Sequence, residues 1–166
     1  MCNFNIIKTL INVSMFKKLE KINKISKKED VVFLCVGNFK VWYDSFGPLV
    51  SYFLKKNNFG WFVYGDINNC ITLNNIDKYI KCIKKFHVKP FIIVVDSSVS
   101  KDGVEGIKIV DGGLKIGCLS GGAVFVGDMG ITYCLDIKKL PMYDNYKLMI
   151  QKTKKFVRLV NCVLSS

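Results

Sequence analysis

Three aspartates stand just beyond short apolar runs in this 166-residue chain: Asp44, Asp96 and Asp128. They are the residues whose type and setting best suit acid–base chemistry. Asp96 closes the run FIIVVD. A carboxylate at the tip of a buried strand loses hydration, so it is either paired or functional, or it caps the turn through Ser97 and Ser98. Asp44 precedes SFGPLV at a helix entrance, where an acid serves as an N-cap or as a reactive group. Asp128 follows AVFVG and could equally support a turn. His87 is the only histidine and precedes the strand that ends in Asp96, which predicts a position at the opposite end of the sheet. Without a second histidine, Ser–His–Asp and Cys–His mechanisms have poor support. The seven cysteines form no CxxC and have no neighbouring histidine, so the spacing supports no zinc cage. Cys35, Cys82, Cys134 and Cys162 lie in apolar runs and are expected to be reduced, buried thiols. The glycines of 111–122 lack the strand–loop–helix pattern of a phosphate site. No metal or cofactor is expected.

The elements that must hold these acids can be read from periodicity. The length fits one α/β domain over 1–166. Residues 1–28 carry Ile6, Leu10, Phe16, Leu19, Ile22 and Ile25 at helical spacing, which predicts an amphipathic N-terminal helix. VVFLCVG (31–37) and KPFIIVVD (89–96) are continuous apolar runs, the mark of strands covered on both faces. Helical spacing returns from Ser45 to Lys56, with Pro48 tolerable in the first turn. WFVYG (61–65) predicts a strand and 74–86 a helix, while 104–110 alternates as an edge strand does. A glycine-rich loop over 111–122, a strand over 123–127 and a lysine-rich helix over 143–164 complete the chain. Alternating strands and helices with short joints predict a mostly parallel, twisted sheet between helices. In such a sheet the functional crevice lies outside the carboxyl ends of the strands. That rule selects the segments after 31–37, after 90–96 and after 123–127, each of which supplies one aspartate.

Net charge is +12, nearly all of it lysine, with Arg158 the only arginine. The lysines are dispersed, so a solvated lysine-rich surface is the expectation and nucleic-acid binding is at most non-specific. No run approaches the roughly 18 apolar residues of a membrane span. The opening residues have neither the basic segment nor the cleavage site of a signal peptide, and a cytoplasmic protein is expected.

Residues 31–132 resemble a known family. VVFLCVGNFKVWYDSFGPLVSYFL resembles the C-I-G-T-D-R-S-T-G-D-S-L-G-P-L-V segment of YyaC-type sporulation proteins, and KPFIIVVDSSVS resembles their F-I-I-A-I-D-A-C-L strand. GGLKIGCLSGGAVFVGDMGIT is similar to their G-P-L-x-P-G-A-G-V-N-K-x-L-P-x-V-G-D-I-x-I-T stretch. YyaC-type proteins are in turn similar to the spore germination protease, whose two essential aspartates fall on Asp44 and Asp96. The peptidases that mature nickel hydrogenases share that fold, but their histidine ligand has no counterpart here.

The resemblance implies a three-layer α/β/α fold of the germination-protease and hydrogenase-maturation-protease type, with 31–132 as the family core. It implies a sporulation-associated endopeptidase in the spore or forespore interior, acting on small spore proteins or peptides. Asp44 and Asp96 would be catalytic, and Asn38, Ser45, Ser97 and Asp128 would line the crevice. The chain departs from the family pattern at Asn38, Phe39, Lys40 and Tyr43, and reads IGCLSGG where P-G-A-G-V-N-K is expected. Those changes motivate an alternative, a catalytically diverged protein that keeps the fold and binds a peptide or protein partner.

Overall fold

The computed structural model describes residues 13–57, 60–100, 102–117, 123–136, 138 and 146–164. Helix α1 runs Val13–Ile25 and buries Phe16, Leu19 and Ile22 along one side. The earlier part of the expected N-terminal helix lies outside the described residues, as does 143–145 of the C-terminal one. Strand β1 (Val31–Cys35) is buried along its whole length. A 3-10 turn at Trp42–Asp44 leads into helix α2 (Phe46–Lys56). Strand β2 (Phe62–Tyr64), helix α3 (Ile76–Phe86), strand β3 (Phe91–Ser100) and strand β4 (Gly106–Asp111) follow. Strands β5 (Leu114–Ile116), β6 (Val124–Val126) and β7 (Met129–Asp136) and helix α4 (Tyr146–Leu164) complete the order.

The central sheet has the order β2-β1-β3-β7-β4. Its pairs are parallel except β4 against β7, so the segment expected as an edge strand is an antiparallel edge. Side-chain alternation gives each face its own core. Val31, Phe33, Ile93, Val95, Ile131 and Tyr133 face α1, α2 and α4. Val32, Leu34, Ile92 and Val94 face Ile76 and Ile83 of α3 together with Ile116 and Val126 of a small ribbon. Burial on both faces is why these strands read as continuous apolar runs rather than as alternation.

The structure corrects three expectations. First, β3 does not end at Asp96; it continues to Ser100, paired with β7 from Ile93↔Met129 to Ser100↔Asp136. Second, 123–127 is not a strand of the main sheet, because among the described residues β6 pairs only with β5, a strand inside the stretch expected to be loop. Third, the fourth parallel strand is β7, in a segment where no strand was expected. Gly130 breaks its β pattern, yet a Cβ there would lie 2.4 Å from the Leu114 side chain, so the glycine is what lets the ribbon pack on the sheet.

His87 lies at the amino end of the sheet, as its sequence position implied. It follows α3, and its Nε2 is 2.9 Å from the Tyr64 hydroxyl. Its Nδ1 is 3.3 Å from the carboxylate of Asp30, just ahead of β1, and Phe62 packs edge-on at 4.3 Å. This cluster pins the end of α3 to the starts of β1 and β2. Replacing His87 with Leu leaves Tyr64 and Asp30 without that partner and is expected to cost about 1–2 kcal/mol of stability. Chemical denaturation of the variant beside the parent measures the loss.

Candidate active site

The chain order places a topological switch point between β1 and β3: the connection from β1 goes outward to β2, and the next strand returns on the far side of β1. Crevices in open parallel sheets form at the carboxyl side of such a point. Asp44 follows β1 and Asp96 lies in β3, so the two acids stand on its two sides.

Pairing with β1 stops at Cys35↔Val95, closed by the Val36 N–H donating to the Val95 carbonyl at 2.8 Å. From Asp96 onward β3 pairs only with β7 among the described residues, so its β1 side opens where the carboxylate begins. Asp96 remains partly accessible. Its Oδ1 accepts the Ser97 N–H at 2.8 Å. Among the described residues that is the only hydrogen bond of its carboxylate, and it is the contact expected of an acid that supports the residues following it.

The loop of 37–44 holds Asp44 through close backbone packing and one hydrogen bond. Gly37 has φ +134°, and a Cβ there would lie 2.2 Å from the Asp44 carbonyl oxygen, so only glycine fits. Gly47 is tighter still: its Cβ would lie 2.0 Å from the Val36 carbonyl oxygen and 2.8 Å from that of Val95. The first turn of α2 thus rests directly on the backbone where β1 ends and its pairing with β3 stops. Asp44 is not the N-cap of α2, since Ser45 occupies that position and no side chain caps the helix. Instead Asp44 Oδ2 turns back to accept the Asn38 N–H at 2.8 Å. The Phe39 N–H donates to Cys70 Sγ at 3.3 Å, and the Tyr146 hydroxyl donates to the Phe39 carbonyl at 2.7 Å. These contacts tie the loop to the segment after β2 and to α4.

Electrostatics follow from this placement. Burial pushes the Asp44 carboxyl above the usual aspartate range, and the Asn38 N–H pulls partly against it. Asp96 is held well above that range, first by burial and then by the negative charge of Asp44, with the Ser97 N–H opposing. Two carboxyls in this relation titrate as a pair, so the raised step belongs to the two together.

The other expected crevice residues fare differently. Asn38 contributes its backbone N–H to Asp44, while its side-chain oxygen accepts the Lys40 N–H at 3.0 Å. Ser45 is buried, and its hydroxyl is spent on the Trp42 carbonyl at 2.6 Å. Ser97 lies beside Asp96, and its hydroxyl has no partner among the described residues. Asp128 is corrected outright: it is at the amino end of the sheet, where its Oδ2 accepts the Ile92 N–H at 2.8 Å and its own N–H donates to the Ile92 carbonyl at 2.8 Å. It starts β7 rather than ending a parallel strand, so it serves the entry to that strand, far from Asp44 and Asp96. Thr132 on β7 is in register with Asp96 and was not singled out from the sequence because its strand was not. Among the described residues no three His, Cys, Asp or Glu side chains gather as metal ligands would.

Residues 3–162 match the family described as Protein of unknown function (DUF1256). The chain belongs to that family. The uncharacterized protein YyaC of Bacillus subtilis (strain 168) is 30% identical over 140 residues, covering 82% of this chain and 64% of its own length. This DUF1256 chain therefore spans just under two thirds of that relative, and it is a YyaC-type protein. A crystal structure of an uncharacterized protein from Wolinella succinogenes is similar at a TM-score of 0.47 with 11% identity, covering 81% of this chain and 96% of the other. No helix among the described residues is long and apolar enough to cross a membrane.

Proposed function

We propose that this chain is a sporulation-associated endopeptidase, similar to the spore germination protease, that hydrolyses small spore proteins with Asp44 and Asp96. One observation supports the reading: two acids 52 positions apart in sequence stand on the two sides of the switch point, Asp44 after β1 and Asp96 within β3. A structural turn needs no such arrangement, whereas peptide hydrolysis needs one proton donor and one acceptor on either side of a carbonyl.

In the step, ionised Asp44 takes a proton from water as the water oxygen bonds to the carbonyl carbon. Asp96 gives its proton to the carbonyl oxygen. The tetrahedral adduct then collapses, the C–N bond breaks, and the amine leaves with the proton that Asp44 had taken. Atoms and charges balance, and Asp96 regains its proton from the collapsing hydroxyl. The crevice opens along one side of β3, which suits an extended chain.

Purified protein incubated with small acid-soluble spore proteins, its products read by mass spectrometry, tests the reading. Discrete internal cleavages are expected with the parent and none with the Asp44→Asn, Asp96→Asn double variant. Identical products from both proteins would sink it. Binding without cleavage would favour the peptide-binding alternative, which is supported by the loop departures at Asn38, Phe39 and Lys40.

A further inference from the structure

Thr132 stands next to Asp96 across the β3–β7 pair, as its Cα register partner. Neighbouring strands lie about 4.8 Å apart, and parallel partners in register project to the same face. Alternation fixes that face. Ile131 and Tyr133 turn to the core shared with α2 and α4, so Thr132 turns the other way, with Asp96 and Val94. Thr132 is only 7% exposed, and its Oγ1 has no hydrogen-bond partner among the described residues.

A buried hydroxyl without a partner is destabilising, and valine would fill the same volume in a strand without that penalty. The next polar pair on this face is satisfied: the Ser98 hydroxyl donates to Cys134 Sγ at 3.2 Å. Lys108, the register partner of Thr132 on β4, is exposed. Ser97, the other unpartnered hydroxyl, sits on the alternate face of β3. Thr132 is therefore the polar group placed to act together with the Asp96 carboxyl.

We propose that the Thr132 hydroxyl and the Asp96 carboxyl form a two-donor cradle for a peptide carbonyl oxygen, with Thr132 stabilising the negative charge that develops there. This deepens the proposed hydrolysis and rests on it for the reacting carbonyl. Geometry favours the pairing, because an oxygen held at hydrogen-bond distance by two donors needs them roughly 4–5 Å apart. Side chains on register partners of adjacent strands meet that spacing. Such a donor acts mainly in the transition state, so its loss lowers kcat far more than it raises KM.

The test compares Thr132→Val and Thr132→Ser with the parent, using a small acid-soluble spore protein for cleavage and overlapping synthetic peptides covering it for binding. Thr132→Val is expected to unfold at the same or higher denaturant concentration, to lose about 100-fold in kcat and to change KM little. Thr132→Ser, which keeps the hydroxyl, should retain most of the activity. If the parent binds peptides but cuts none, hydrolysis fails, and the cradle is judged by binding alone: Thr132→Val should weaken it about fivefold and Thr132→Ser should not. Equal behaviour of the valine variant and the parent in whichever assay is positive would overturn the cradle. So would parallel losses in both variants, or a parent that binds no peptide.

Discussion

Asp96→Asn is expected to make the protein more stable at neutral pH and to lower peptide hydrolysis by about 100- to 10,000-fold. Burial, with the added charge of Asp44, holds the folded-state carboxyl of Asp96 well above its ordinary value of 3.8. Below that value both folded and unfolded chains carry the proton, and the residue adds no pH dependence. As pH rises past it the unfolded chain ionises first while the folded one keeps its proton. The folded state then binds more protons, so stability falls with pH until the folded carboxyl also ionises. Asparagine cannot titrate. The stability difference, variant minus parent, should be near zero in acid and should grow in favour of the variant as pH rises from 3.8 toward neutrality. Asp44→Asn should give a smaller effect of the same sign, because burial raises the Asp44 carboxyl less than burial and charge together raise that of Asp96. Its side-chain oxygen can still accept the Asn38 N–H, whereas Asp44→Ala loses that bond and should cost about 1 kcal/mol. Thermal unfolding across pH 4–8 for the parent and these variants measures each difference; the range is about that over which a raised carboxyl titrates. Both Asn variants proving less stable than the parent at every pH would mean that the carboxylates are structural and that the acid–base reading is wrong.

Gly47→Ala should destabilise the protein by about 3 kcal/mol, the reverse of what this substitution does in an ordinary helix. Alanine normally stabilises a helix by about 0.5–1 kcal/mol over glycine. At this position the added methyl would meet two backbone oxygens, 2.0 Å from Val36 and 2.8 Å from Val95, and neither is a side-chain tip that can swing away. The first turn of α2 must lift off the strand ends, and it carries Asp44 with it. A displacement near 1 Å at a reacting group can lower a rate about 100-fold, so activity should fall even under conditions where the variant stays folded. Gly60→Ala is the control, since nothing lies within 4 Å of its Cβ position. Urea unfolding of the two variants decides the matter. If Gly47→Ala matches Gly60→Ala in stability, the close approach of α2 to the strand ends is not what seats Asp44.

The sequence by itself determined the layered architecture and drew attention to the acids that follow its apolar runs. β1 and the first half of β3 were legible because strands buried on both faces leave unbroken apolar runs. α2 and α3 were legible because each keeps one apolar side at helical spacing. Asp44 was placed by a general rule, since an acid that follows a parallel strand lies on its carboxyl side, and Asp96 lies just past the point where the pairing of β3 with β1 stops. What the sequence withheld was pairing. Whether AVFVG joins the main sheet or a separate ribbon depends on partners far along the chain, and its own residues look the same either way. Only the ribbon pairing of β6 shows that Asp128 stands before a strand rather than after one, which moves it to the opposite end of the sheet. The strand β7 was hidden because Gly130, Thr132 and Cys134 interrupt its apolar pattern on one face, where the ribbon and the crevice take the place of a helix. Thr132 could not be found without it. Register between strands sets which side chains share a face, and register is a property of contacts between distant segments. Tertiary structure alone therefore decided that Asp96 has a hydroxyl for a neighbour, and that the charge of Asp44 reaches it.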